Sequence, residues 1–215
     1  MSGVVTVLEV GRRRTFASAL DWPGWSRSAR SAEAAVETLA AYAPRYAPVV
    51  VAAGLPFDPP GSFDVVETLP GDAGTDFGVP GAVAALERAD LTAAEANGLA
   101  DLMVAAWAYL VEVGRTAPPV LRKGPRGGGR DRDAILAHVW DAEAAYARRA
   151  GLRLTTAESR ERPVLHAALV AAVRSARSGA PTGEKLWPVR YAVRRVVWHV
   201  LDHAWEIEDR SEATP

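Results

Sequence analysis

The pattern of apolar and polar positions changes period once along this chain, and the change divides it. Val4 to Val10 are rich in β-branched residues, Gly11-Arg12-Arg13 has turn chemistry, and Arg14 to Trp22 alternates larger and smaller side chains, so a β-hairpin is expected at the start. Asp21-Trp22-Pro23-Gly24 breaks the second strand. Ser31 then stands where an N-cap belongs, before the alanine-rich run Ala32 to Tyr42, which predicts a short helix. Val49 to Ala53 and Phe63 to Thr68 are strand candidates, joined by the proline-rich connection Gly54 to Gly61.

The turn formers of Gly71 to Gly78 follow, and beyond them the pattern is helical. Thr92 and Glu95 have capping-box spacing, and Leu99, Leu102, Met103, Ala106, Leu110 and Val113 fall on one face. Ile135, Val139, Ala142 and Tyr146 make a second stripe, Leu165, Ala168, Leu169, Ala172 and Val173 a third, and Val193, Val196, Val197, Val200, Ala204 and Ile207 a fourth. Four such helices can bury their stripes against one another in a bundle. The expected fold class is therefore α+β. A small α+β module covers residues 1–70, a linker 71–81, and an all-α up-down four-helix bundle 82–215.

With 215 residues, 49% of them hydrophobic, the chain can bury one sizeable core or two small ones. A formal net charge of -1 supplies no broad field to attract polyphosphate, which argues against a nucleic-acid binder. No basic segment followed by an apolar signal core opens the chain, and no apolar run approaches the roughly 20 residues that span a bilayer. It thus reads as a soluble, cytoplasmic protein without a membrane partner. With no cysteine, disulfides, thiolate metal sites and a cysteine nucleophile are excluded, leaving histidines and carboxylates to hold any metal. No serine lies in a nucleophile-elbow context, and classical hydrolase mechanisms lack support.

Two of the four histidines, His199 and His203, are four residues apart in the last helical stretch, so both imidazoles point the same way. They sit on one flank of the fourth stripe, between its apolar seam and the polar positions Arg195, Asp202 and Glu206. His138 sits beside the second stripe, where antiparallel packing brings it to the pair. Three imidazoles with open positions beside them suit a catalytic divalent metal. Asp141, Asp202 and Glu206 are candidates to orient those imidazoles or accept protons, although as helical carboxylates they can equally pair with Arg194, Arg195 or Arg210. His166 lies off its stripe and reads as a structural or exposed position.

The segment His138-Val139-Trp140-Asp141-Ala142-Glu143, together with Arg195 to Glu206, resembles the DinB-like superfamily over about residues 82–210. The resemblance implies a four-helix bundle in which His138, His199 and His203 hold nickel, zinc or iron. Some members are transferases or isomerases that depend on a low-molecular-weight thiol such as mycothiol. In the first 70 residues, Phe16 to Trp25 followed by Ser31 to Val36 resembles a HicB-like antitoxin module, with its Asp-x-Pro-Gly turn between strand and helix. The glycine-threonine step usual before the helix is replaced here by Ser28-Ala29-Arg30-Ser31, and no separate DNA-binding segment follows. That likeness therefore implies the fold and not the antitoxin activity.

The expected function is thus Lewis-acid chemistry on a small-molecule substrate, with a metal-activated thiol or water as nucleophile. The alternative is a non-catalytic scaffold or small-molecule sensor in which the first module mediates association; both resemblances imply a homodimer. The loop Arg122 to Arg130 joins repeated glycines to four positive charges without a complete phosphate-loop pattern. It reads as a solvated connection in which Arg126 and Arg130 are candidates to contact an anion. Trp198 and Trp205 lie on the flank away from the histidines and are expected to seal the last helix against another helix or the first module, while Trp140 is a candidate to line a pocket.

Overall fold

The computed structural model describes residues 3–58, 61–124, 128–181, 183 and 185–211. Strands β1 (Val4–Val10), β2 (Thr15–Ala19) and β3 (Ser26–Ala29) are followed by helices α1 (Ala32–Ala41) and α2 (Ala43–Ala52), and then by strand β4 (Phe63–Pro70). The sheet order is β3-β2-β1-β4, with β1 antiparallel to β2 and parallel to β4. A parallel neighbour cannot be reached by a tight turn, so α1 and α2 serve as the crossover. Helices α3 (Ala73–Phe77), α4 (Ala93–Thr116), α5 (Arg132–Arg149), α6 (Thr156–Arg160), α7 (Arg162–Ser175) and α8 (Val189–Ser211) complete the described elements, with a 3-10 turn at Ala85–Arg88. The fold class is α+β, as expected, and α4, α5, α7 and α8 pack against one another.

The strand expected at Val49–Ala53 is instead the second half of α2. Its β-branched residues favour an extended chain locally, but Ala43, Tyr46, Val49 and Val50 are buried at helical spacing while Val51 stays 69% exposed. Pro44 at the start of the helix needs no N–H partner, so it initiates α2 where the sequence suggested a break. Burial of one helical face overrides local strand preference.

Both faces of the central strands β1 and β2 are covered, while the edge strand β4 stays largely exposed. Leu8, Ala17 and Ala19 belong to the same buried cluster as Ala35 and Leu39 of α1 and Tyr46 and Val49 of α2, whereas Phe16, on the other face, meets the Trp198 ring edge-on. Trp25 lies fully buried, stacked on Tyr46 and donating its indole N–H to the Leu39 carbonyl, and the Tyr46 hydroxyl donates to the Pro23 carbonyl. The cluster continues through Leu99, Met103 and Leu110 of α4 to Val196, Val200 and Ile207 of α8.

The segment expected to be a bare linker carries ordered structure. Asp72 and Thr75 cap α3 reciprocally, and Gly78 ends it at φ 116°. The next residues wrap α8. Glu9 accepts from Thr75 and from the backbone N–H groups of Gly81 and Ala82, Tyr191 donates to the Gly81 carbonyl, and Arg195 donates to the Pro80 carbonyl. Arg194 donates to the Ala82 carbonyl and grips Glu87 with two bonds of 2.6 and 2.9 Å. The polar flank expected on this helix is therefore buried at its start, with Arg194 2% and Arg195 6% exposed. Covered on both sides, α8 is the central helix of the protein.

One helix, α4, meets the length and average composition of a membrane span, although Asp101 and Glu112 interrupt its apolar run. Its most apolar 18-residue window has a mean hydropathy of 1.2. Of that window 56% is buried inside the protein, against α7 and α8. Its apolarity thus serves the core.

Candidate metal centre

The three histidines expected to converge do so. His138, in the second turn of α5, and His199 and His203, one turn apart on α8, each offer a ring nitrogen, and the three nitrogens lie within 4.8 Å of one another. The Nε2 atoms of His138 and His199 are 3.4 Å apart, and the ring of His203 stands nearly perpendicular to both others. The arrangement follows from the pattern of each helix. Ile135 and Val139 seat α5 in the core and Val196 and Val200 seat α8, which leaves the histidines beside those seams at the line where the two helices meet.

The surroundings of His199 and His138 favour neutral imidazoles. His199 is 6% exposed, and burial pushes its pKa down to about 2, assisted by the nearby charges of His203, His138, Arg195 and Arg130. Burial and then His203 also hold His138 below the ordinary histidine range. His203 sets its Nδ1 2.8 Å from Oε2 of Glu206, an arrangement that in the neutral ring donates from Nδ1 and leaves Nε2 with its lone pair. The other oxygen of Glu206 accepts from Arg210 at 2.7 Å, and His203 and Arg210 together lower the carboxyl pKa against the opposing effect of burial. Among the described residues, Nδ1 of His199 is buried without a partner.

The three carboxylates suggested by the sequence separate here. Glu206 contacts a histidine. Asp202 instead pairs with Arg27 of β3 at 2.9 Å and ties α8 to the sheet. Asp141 is exposed and acts on His138 only through space, raising its pKa against the larger effect of burial. Arg130 is exposed, and its charge opposes protonation of His138 and His199; Arg126 lies outside the described residues. The tryptophans behave as the pattern implied: Trp198 meets Phe16 and Trp205 meets Tyr42, both sealing α8 against the first part of the chain. The ring of Tyr146 closes the far side of His199 at a centroid distance of 5.5 Å.

Sequence reasoning missed a second polar cluster. Glu143 occupies a core position of α5, 1% exposed in its side chain, where it accepts from the Trp107 indole at 2.5 Å and meets Nε2 of His166 at 2.8 Å. The His166 ring lies flat on Trp107, with centroids 3.7 Å apart. One signal pointed to it: a carboxylate, Glu143, in register with Ile135 and Val139 on the buried stripe of α5. Glu143 also lines a cleft of about 610 Å³, together with Trp140, Arg148, Arg160 and Arg162. That cleft lies between α5, α6 and α7, apart from the three histidines.

No protein-family model, curated protein or solved structure matches this chain.

Proposed function

We propose that His138, His199 and His203 bind one divalent metal ion, nickel, zinc or iron, and that α4, α5, α7 and α8 form a DinB-like bundle around it. The observation that carries this reading is the convergence of three imidazole nitrogens within 4.8 Å, one of them on a buried ring held neutral. A cluster of three cationic rings would repel itself, whereas three neutral rings offer three lone pairs and match the ligand number of catalytic sites, with a position left open. When bound, the ion acts as a Lewis acid that lowers the pKa of a water or of a low-molecular-weight thiol such as mycothiol. Because the chain has no cysteine, any thiol comes from outside it.

In this reading each residue has a defined task. His199 anchors the ion from the buried side. Glu206 keeps His203 in the tautomer that presents Nε2, and Arg210 holds Glu206 in place. Tyr146 shields His199, and Arg130 attracts an anionic substrate group toward the open side. The reaction class is a thiol-dependent transfer or isomerisation. Metal analysis of the purified, untagged protein by mass spectrometry tests the centre: about one ion per chain is expected, lost in the double variant His199→Ala/His203→Ala. Metal retained by a folded double variant would refute it.

A second reading, a non-catalytic scaffold or small-molecule sensor, draws support from one observation: a cleft of about 610 Å³ between α5, α6 and α7 is lined by none of the three histidines. A metal-loaded protein that gains thermal stability yet leaves the absorption spectrum of bound cobalt unchanged on addition of thiols would favour it.

A further inference from the structure

The connection between α4 and α5 reaches the histidines through a chain of contacts. Gly129 adopts φ 117°, and a Cβ placed on it would lie 2.8 Å from Nη2 of Arg210 and 3.0 Å from its Cζ. The left-handed φ favours glycine, and a Cβ there would press on the guanidinium and force it to shift. Arg210 in turn donates from Nε to the Arg122 carbonyl at 2.8 Å and from Nη1 to Glu206 at 2.7 Å. Glu206 then meets Nδ1 of His203 at 2.8 Å. The other end of the same connection is fastened as well: the Arg122 backbone N–H donates to the Arg210 carbonyl and its side chain to the Asp209 carbonyl, and Lys123 pairs with Asp131.

The guanidinium of Arg210 is therefore a fork with one prong on the loop and one on the carboxylate that orients a histidine. Its geometry is exacting, since a planar guanidinium that serves two acceptors cannot rotate to follow one without losing the other. We propose that Gly129 and Arg210 are positioning residues that couple the backbone at Arg122 and at Gly129 to the metal centre, so that the seating of these two points against Arg210 sets metal affinity. The inference rests on the reading of the three histidines as a metal centre. The coupling is reciprocal: a metal that favours the oriented His203 also favours that seating, by the same factor.

Cobalt(II) alone, titrated into the full-length chain and followed by its visible absorption, is the test. Gly129→Ala forces a methyl into the guanidinium, and Arg210→Lys keeps the positive charge while removing the fork, so a change of net charge cannot account for the result. Each is expected to weaken cobalt binding about tenfold, and Glu206→Gln about ten- to a hundredfold, the range seen when an outer partner of a metal ligand is removed. The decisive variant is Gly129→Ala/Glu206→Gln. With the relay already cut at Glu206, the glycine substitution should add nothing, whereas a merely structural loss would multiply.

Circular dichroism melting confirms that each variant is folded; should Gly129→Ala fail to fold, Arg210→Lys/Glu206→Gln carries the same comparison. By reciprocity, saturating cobalt should slow tryptic cleavage after Arg122 and Lys123 in the wild type and not in Glu206→Gln. Wild-type affinity in both single variants, or an undiminished effect of Gly129→Ala in the Glu206→Gln background, would overturn the coupling alone. A wild-type chain that binds no cobalt would remove the centre and this inference together.

Discussion

Gly24 lies so close to Val197 that a Cβ built on it would sit 2.3 Å from Cγ1 of the valine, at a backbone φ of 91°. The Asp21 to Gly24 turn thus seats directly on the central helix, two residues before the first histidine of α8. Gly24→Ala should destabilise the protein by about 3 kcal/mol, from steric overlap together with a left-handed backbone that alanine resists. Adding Val197→Ala should recover only part of the steric cost, since Cβ and the backbone carbon of residue 197 remain 2.8 and 3.0 Å from the new methyl. Urea denaturation measures both, and a fully rescued double variant would show that the turn's conformation carries no strain.

The Glu87–Arg194 pair, each side chain 3% exposed, is the most deeply buried ion pair among the described residues. Glu87→Gln leaves a buried guanidinium without its counter-charge and should cost about 3–5 kcal/mol, far more than loss of an exposed pair such as Arg115–Glu112. Equal effects of the two substitutions in chemical denaturation would contradict the burial of the first.

Acid sensitivity of the metal-free protein follows from His199. Its pKa is about 2 in the folded chain, and an ordinary imidazole in the unfolded chain takes a proton near pH 6.5. Between those values the unfolded state binds the extra proton, so stability falls as pH drops below about 6.5, by on the order of 1 kcal/mol per pH unit. His138, lowered in the same sense, adds to the slope. Denaturant midpoints from pH 7.5 to pH 5 should show this slope and a shallower one in His199→Gln; identical slopes would assign the acid sensitivity elsewhere.

Carboxylates near the centre should differ in effect. Asp202→Asn releases Arg27 and Asp141→Asn alters an exposed side chain, so neither should change metal content, while Glu206→Gln weakens binding. Metal analysis after dialysis against a weak chelator separates them. A loss in Asp202→Asn as large as in Glu206→Gln would mean that docking of α8 on the sheet, and not orientation of His203, sets affinity.

His166 and Glu143 form a fourth case. His166→Ala strips a buried carboxylate of one of its two partners and should lower stability by about 1–3 kcal/mol while leaving metal content intact. Loss of bound metal in that variant would draw the second polar cluster into the centre.

Much of the histidine geometry is legible in the chain because a helix converts spacing into direction. His199 and His203 at i and i+4 must share a face, and the stripes of α5 and α8 place His138 toward them whenever those stripes are buried against each other. The same reasoning failed at Val49 to Ala53, where β-branched residues speak for a strand and only contact with the rest of the core selects the helical face. It also could not rank Asp141, Asp202 and Glu206, because all three flank the histidines along their helices, and rotamers and neighbours decide which one makes contact.

Local period, capping chemistry and the absence of cysteine thus determined the helical and strand character of most elements, the α+β class and the candidate metal ligands. These are properties that neighbours in sequence settle among themselves. Tertiary structure alone decided that α8 would be covered on both sides, that Glu9, Arg194 and Arg195 would bind the segment at Pro80–Ala82, that Glu87 would pair with Arg194, and that Arg210 would lie against Gly129. Such contacts join residues more than seventy positions apart, and a buried charge settles on whichever distant partner compensates its loss of water, a choice that no local pattern encodes.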